Sequence, residues 1–118
     1  MYQDRIVLCV SNSYEKKYYL NEDFDGLPQS IKDELKIMCV LYTEDVGGIL
    51  SLEFEQNGTL LFEVNADEGD LLYDEIGSAL VIKKLREEKK ELLESLELYF
   101  KVFFLGEDAA ALLDSESN

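Results

Sequence analysis

The sequence contains no histidine and no tryptophan, and its 118 residues include one proline and two cysteines. Without histidine there is no Ser-His-Asp or Cys-His nucleophile pair, no imidazole base working near neutral pH and no histidine-bearing metal site. Cys9 and Cys39 lie far apart with no further cysteine, so the sequence encodes neither a cysteine zinc site nor a disulfide framework. We expect two buried free thiols, because both cysteines have apolar neighbours.

Basic residues are also scarce. The chain has 11 Lys and Arg against 26 Asp and Glu, which gives a formal net charge of −15. This charge repels phosphate backbones, so we expect no nucleic-acid binding. No apolar run approaches the roughly 18 residues of a membrane span, and the amino terminus lacks the pattern of a signal peptide. We therefore expect a cytoplasmic protein without membrane contact, and we predict no cofactor.

The apolar content, 47%, is ordinary for a folded domain, and no Ser-rich or Gly-rich linker divides the chain. The sequence predicts a single α+β domain over residues 1–108 and a frayed tail over 109–118. The predicted order is ββαββα, in which two antiparallel hairpins alternate with helices and the last helix is long.

The first half of the chain predicts a hairpin and a helix. Residues 5–10 and 14–20 flank the turn-prone Ser-Asn-Ser at 11–13, and the helix follows Pro28. The apolar positions of this helix recur every three or four residues and end at Gly47 and Gly48. They are Ile31, Leu35, Met38, Tyr42 and Val46.

Side-chain alternation fixes the turn of the second hairpin, over residues 49–65. A two-residue turn would place polar residues opposite apolar ones on one face. A three-residue loop over 56–58, with Gly58 left-handed, makes one face fully apolar instead. The predicted pairs are Leu50 with Val64, Leu52 with Phe62 and Phe54 with Leu60.

Residues 70–105 have a helical pattern, with Leu72, Ile76 and Leu80 forming its first stripe. One helix of this length would measure about 52 Å, whereas a domain of this size is only about 35 Å across. The helix therefore either breaks near Gly77 or extends past the domain.

The segment LYFKVFFL at 98–105 is apolar on nearly every side and needs to be enclosed. A second copy would enclose it, so we predict a homodimer. The predicted self-association residues are Leu96, Tyr99, Phe100 and Phe103. The alternative is a helix packed into its own domain without a partner.

A resemblance to a known family is carried by LPQSIKDELKIMCVLYTEDVGGILSLEFEQNGTLLFEV, EGDLLYDEIGSALVIKKL and ELYFKVFFLGED. The chain resembles a family of small acidic proteins of unknown function from clostridial-type anaerobic bacteria over roughly residues 7–108. The resemblance implies a bacterial, intracellular, single-domain protein. It implies no activity and no site residues.

Short acidic segments are the remaining candidates for chemistry. Asn21, Asp23 and Asp25 fit the opening of a calcium-binding EF-hand loop, but its twelfth position, which needs a bidentate acid, is Lys32. They are weak metal candidates, and we predict no metal site. Asp70 and Asp74, one helical turn apart, have the spacing of a Mg²⁺ site or of an acid–base pair. A structural explanation is also sufficient, because negative charge at the start of a helix is favourable by itself.

The distribution of charge predicts the function. No basic residue lies between Lys36 and Lys83, whereas six of the 11 basic residues lie on the last helix. We predict a non-enzymatic homodimeric interaction or adaptor protein that binds a basic protein or peptide through an acidic hairpin face of Glu53, Glu55 and Glu63. The alternatives are a divalent-cation-binding protein using acidic loops and a carboxylate-based enzyme, and an acidic surface also serves solubility alone.

Overall fold

Four strands and three α-helices form an α+β domain in the computed structural model, which describes residues 5–107. The predicted tail, 109–118, lies outside the described residues. The elements are β1 (Ile6–Asn12), β2 (Lys17–Leu20), a short 3₁₀ helix (Glu22–Phe24), α1 (Gln29–Val46), β3 (Ile49–Phe54), β4 (Leu60–Asn65), α2 (Glu75–Glu88) and α3 (Lys90–Phe103). The α+β class is confirmed, and the order is ββαββαα.

The four strands form one antiparallel sheet in the order β2-β1-β3-β4. The pairing of β1 with β3 joins the two predicted hairpins. A bulge between Val7 and Cys9 places an extra residue in β1, so that Ile6 opposite Phe54 and Cys9 opposite Leu52 share the core face. Leu8, the bulge residue, is also fully buried.

The second hairpin has the predicted register. Leu50 pairs with Val64, Leu52 with Phe62 and Phe54 with Leu60. The N–H of Glu55 donates to the carbonyl of Thr59 at 2.8 Å, which closes a three-residue loop. Gly58 in this loop has a φ of +92°, a left-handed conformation that favours glycine.

Helix α1 covers the centre of the sheet with the predicted stripe. Leu35, Met38 and Tyr42 are buried, and Ile31 and Val46 pack against them at the two ends. The helix ends at Gly47, which has a φ of +80°. Where α1 crosses β1, the sulfurs of Cys9 and Cys39 lie 3.8 Å apart, and both cysteines are buried free thiols as predicted.

The predicted long last helix is wrong, because the chain forms two helices that meet at Lys89. The proposed break near Gly77 is also wrong. The Gly77 N–H donates to Asp74 Oδ1 at 2.9 Å, so Asp74 caps α2 and Gly77 lies in its first turn. Lys89, whose ammonium lies 3.6 Å from a Glu34 carboxylate oxygen on α1, bends the chain with a ψ of 24°.

Part of the apolar segment at 98–105 packs into the core of its own chain, whereas Phe103 and Leu105 are exposed. The ring of Phe100 stacks on Phe54 at a centroid distance of 4.3 Å and on Phe104 at 5.0 Å. Phe24, from the 3₁₀ helix, stacks on Phe104 at 4.7 Å. Stacked rings of this kind stabilise a core beyond the area that they bury.

The outer edge of β4 contacts both terminal helices. The Leu60 N–H donates to Glu97 Oε2 at 2.8 Å, and Arg86 Nη2 donates to the Leu60 carbonyl at 3.4 Å. Arg86 also lies over the Phe62 ring, 5.1 Å from its centroid. These contacts hold α2 and α3 against the start of β4.

Replacing Phe100 by Ala should lower the free energy of unfolding by about 3–5 kcal/mol, because the change leaves a cavity in the aromatic stack. Phe103→Ala is the matched control, since Phe103 lies on the same helix and is 70% exposed. We expect the control to cost less than about 1 kcal/mol. Urea unfolding followed by circular dichroism measures both, and equal losses would contradict the assignment of Phe100 to the core.

Stability should fall at alkaline pH. The hydrogen bond with Cys9 and burial raise the pKa of the Cys39 thiol, and burial raises the pKa of the Tyr18 phenol. The folded protein thus keeps protons that the unfolded chain loses above about pH 9, so the free energy of unfolding is full below that pH and declines as the pH rises. Urea midpoints at pH 8 and pH 10 test this, and Cys39→Ala should make the decline shallower. A midpoint that does not change with pH would contradict it.

Candidate functional site

The acidic hairpin face carries an internal counter-charge. Arg5, just before β1, has its Nη1 3.5 Å from Glu53 Oε1 and donates a hydrogen bond to Glu63 Oε1. The hydrogen bond with Glu63 raises the pKa of Arg5. Glu55 lies just beyond β3, at the hairpin loop. Two of the three predicted partner-binding acids are therefore already paired with a base of the same chain.

The calcium-like loop is part of the turn before α1. Asn21 Oδ1 accepts from the Asp23 N–H at 3.0 Å, and Asn21 Nδ2 donates to the Val7 backbone carbonyl at 2.7 Å. Asp25 follows as the C-cap of the 3₁₀ helix. Within residues 5–107, no three His, Cys, Asp or Glu side chains are grouped so that they could hold a metal ion.

Asp70 and Asp74 both accept structural hydrogen bonds. Tyr14 Oη donates to Asp70 Oδ2 at 2.7 Å and accepts from the Asp67 N–H at 3.0 Å. The hydrogen bond with Asp70 raises the pKa of Tyr14. Asp74 caps α2 through Gly77. The tyrosine therefore ties the β1–β2 turn to the loop before α2.

The four predicted self-association residues do not form one surface. Leu96 and Phe100 are buried in the core. Tyr99 is half-buried, with its ring 6.3 Å from that of Phe24 and 4.5 Å from that of Phe103. Only Phe103 of the four is largely exposed, so it alone offers a large apolar side chain to a second copy.

The three most exposed large apolar side chains of the described residues, together with Leu80, lie instead at the start of α2 and just before it. Leu71 is 91% exposed, Leu72 95%, Ile76 77% and Leu80 64%. The predicted helical stripe of Leu72, Ile76 and Leu80 is wrong, because residues 70–74 are loop and α2 begins at Glu75. Ile76 and Leu80 do lie one turn apart on α2, but they face water. We call these four residues the apolar ridge.

A groove of about 690 Å³ lies between β4, the loop at 66–74 and α2. Apolar side chains of Phe62, Val64 and Ile82 line it. Its acidic lining consists of Asp67, Glu68, Asp70 and Glu75. We call this feature the acidic groove.

In the sequence, Asp70 and Asp74 are explained by a helix start, and the acidic groove is not predicted. Leu71 and Leu72 carried the missing signal, because two adjacent leucines among five acidic residues cannot both lie on one helical stripe.

Within the part of the chain that the structure describes, no helix is long and apolar enough to cross a membrane.

Comparison with known proteins identifies the family but no activity. A model of a family of unknown function, DUF6145, matches residues 5–108. No curated protein and no solved structure matches the chain. Since the match spans nearly the whole domain, the chain belongs to the DUF6145 family of unknown function.

Proposed function

We propose that this protein is a non-enzymatic interaction protein that binds a basic, amphipathic segment of another protein across the apolar ridge and the acidic groove. The observation that carries the proposal is the almost complete exposure of Leu71 and Leu72 beside Ile76 and Leu80. Single exposed apolar residues are ordinary, whereas four strongly exposed ones within residues 71–80 favour an interaction site.

Charge complementarity defines the partner. Residues 67–75 contain five acidic residues and no basic one, and no base occurs between Lys36 and Lys83. A partner with Lys or Arg among large apolar residues would cover the ridge and pair with the groove at the same time. An acidic partner would be repelled, and a neutral one would leave buried carboxylates unpaired.

The acidic hairpin face is a weaker candidate for this role. Arg5 already offsets the charge of Glu53 and Glu63, so a basic partner would compete with an internal ion pair. No large apolar side chain of β3 or β4 is among the strongly exposed ones in the described residues. The face therefore offers less charge and less apolar area than the apolar ridge and acidic groove.

The alternative functions have less support. One oxygen of each carboxylate of a possible acid–base pair already accepts a structural hydrogen bond, Asp70 Oδ2 from Tyr14 and Asp74 Oδ1 from the Gly77 N–H. The Asn21 side chain, the first oxygen of a cation loop, is engaged in a turn. Both arrangements favour a binding role over catalysis or cation binding.

The test is affinity capture of binding partners with variants whose substitutions leave the net charge unchanged. Leu72→Ser combined with Ile76→Ser should reduce recovery of basic partners by at least tenfold, because hot-spot side chains at an interface contribute about 2 kcal/mol or more each. The matched control is Ile37→Ser with Leu41→Ser, a pair on α1 in which each residue is 58% exposed. Circular dichroism confirms that each variant folds.

Variants that replace acidic side chains by amides distinguish the acidic groove from the acidic hairpin face. Asp67→Asn with Glu68→Gln should weaken capture and reduce its salt dependence, whereas Glu53→Gln, Glu55→Gln and Glu63→Gln together should leave it nearly unchanged. Loss of partners only with the hairpin variants would contradict the proposed surface. Equal recovery by every variant would contradict a specific partner site.

Homodimerisation stays a prediction, now limited to the exposed end of α3. Phe103, which is 70% exposed, is the side chain through which two copies would associate. Light scattering at micromolar concentration would then give about twice 13.5 kDa, and Phe103→Asp would return a folded monomer. A monomer mass that persists at high concentration would contradict this prediction.

A further inference from the structure

A second cavity, of about 670 Å³, lies between the β1–β2 turn and α1, apart from the acidic groove. Lys16, Lys17 and Lys36 line it. Hydroxyl-bearing side chains also line it, and these are Ser11, Ser13, Tyr18 and Thr43. We call this feature the lysine pocket.

The lysine pocket gathers three of the chain's 11 basic residues. Among residues 5–107, none of these three lysines forms an ion pair within 4.0 Å, although the chain has 26 acidic side chains. Acidic residues on other parts of the surface are largely screened, because the Debye length is about 8 Å at physiological ionic strength. The lysine pocket is therefore locally positive on a strongly negative molecule.

Lys16 has a left-handed backbone conformation, which glycine and asparagine adopt more readily than lysine. Its φ is +55°, and it is the only described residue other than glycine with a positive φ. The side-chain oxygen Oδ1 of Asn12 fixes this turn by accepting from the N–H groups of Tyr14 and Glu15 at 2.9 and 3.1 Å. Glycine or asparagine favours such a position, so lysine here costs stability while it supplies an ammonium group to the lysine pocket.

The α1 side of the lysine pocket is ordered. The Lys36 ammonium lies 6.0 Å from the centroid of the Tyr18 ring, which lies below it. Ser11 Oγ and Thr43 Oγ1 are 2.8 Å apart, and Thr43 also donates towards the Val40 carbonyl at 3.2 Å. The cations are thus backed by a ring and by a fixed pair of hydroxyl groups.

We propose that the lysine pocket binds a small multivalent oxyanion, a phosphate or a polycarboxylate. Ammonium groups and hydroxyl groups together form charge-assisted hydrogen bonds with such oxygens. The carboxylate of Glu44 also lines the lysine pocket, and it would repel an anion that fills the whole pocket. It favours a ligand with a hydroxyl or amino group opposite this carboxylate.

The test is an NMR titration of the full chain with inorganic phosphate and, separately, with citrate, at an ionic strength held constant with KCl. We expect saturable shifts of the amide signals of Ser11, Ser13 and Thr43. The anion that binds more tightly distinguishes a phosphate ligand from a polycarboxylate.

Two variants and a control assign the binding to the lysine pocket. Lys36→Gln and Lys16→Gly should each weaken the affinity at least tenfold. Lys16→Gly also relieves the left-handed backbone, so its melting temperature should equal or exceed that of the wild type, which separates lost binding from lost folding. Lys83→Gln makes the same charge change on α2 and should leave the affinity unchanged.

Three results would overturn the proposal. Shifts that stay linear with both anions would indicate diffuse screening instead of a site. Equal weakening by Lys83→Gln would indicate a response to net charge. Unchanged affinity in Lys36→Gln and Lys16→Gly would place the anion elsewhere.

Discussion

A series of stacked phenylalanine rings connects parts of the chain that are far apart in sequence, and the rest of the fold depends on it. Phe24 comes from the 3₁₀ helix, Phe54 from the end of β3, Phe100 from α3 and Phe104 from the residue after α3. Because each ring contacts rings of other elements, the stack holds the 3₁₀ helix and α3 together over the sheet. It also places Phe100 and Phe104, from the most apolar segment, against rings of their own chain.

Local patterns in the sequence were sufficient for the elements whose partners are near in sequence. The alternation around Gly58 predicted the turn and register of the second hairpin, because a one-residue slip would have moved Phe54 and Leu52 off the core face. The stripe from Ile31 to Val46 likewise predicted α1, since a period of three to four residues and a final glycine leave little choice.

Contacts between distant residues decided what the sequence could not predict. The break at Lys89 coincides with an ion pair to Glu34, and the exposure of Ile76 and Leu80 follows from which side of α2 meets the rest of the domain. The pairing of Arg5 with Glu63 spans 58 residues. For the same reason the lysine pocket, built from a turn and a helix, could not be inferred from a count of basic residues.

The contacts of Leu60 with the two terminal helices limit how molecules of this protein can join. An edge strand offers a row of free N–H and C=O groups on which a strand of another chain can add, and aggregation often begins there. On β4, the carboxylate of Glu97 and the guanidinium of Arg86 occupy both backbone groups of Leu60. An incoming strand would have to displace two charged side chains at this position, so the helices that cover one face of the sheet also hinder its templated growth.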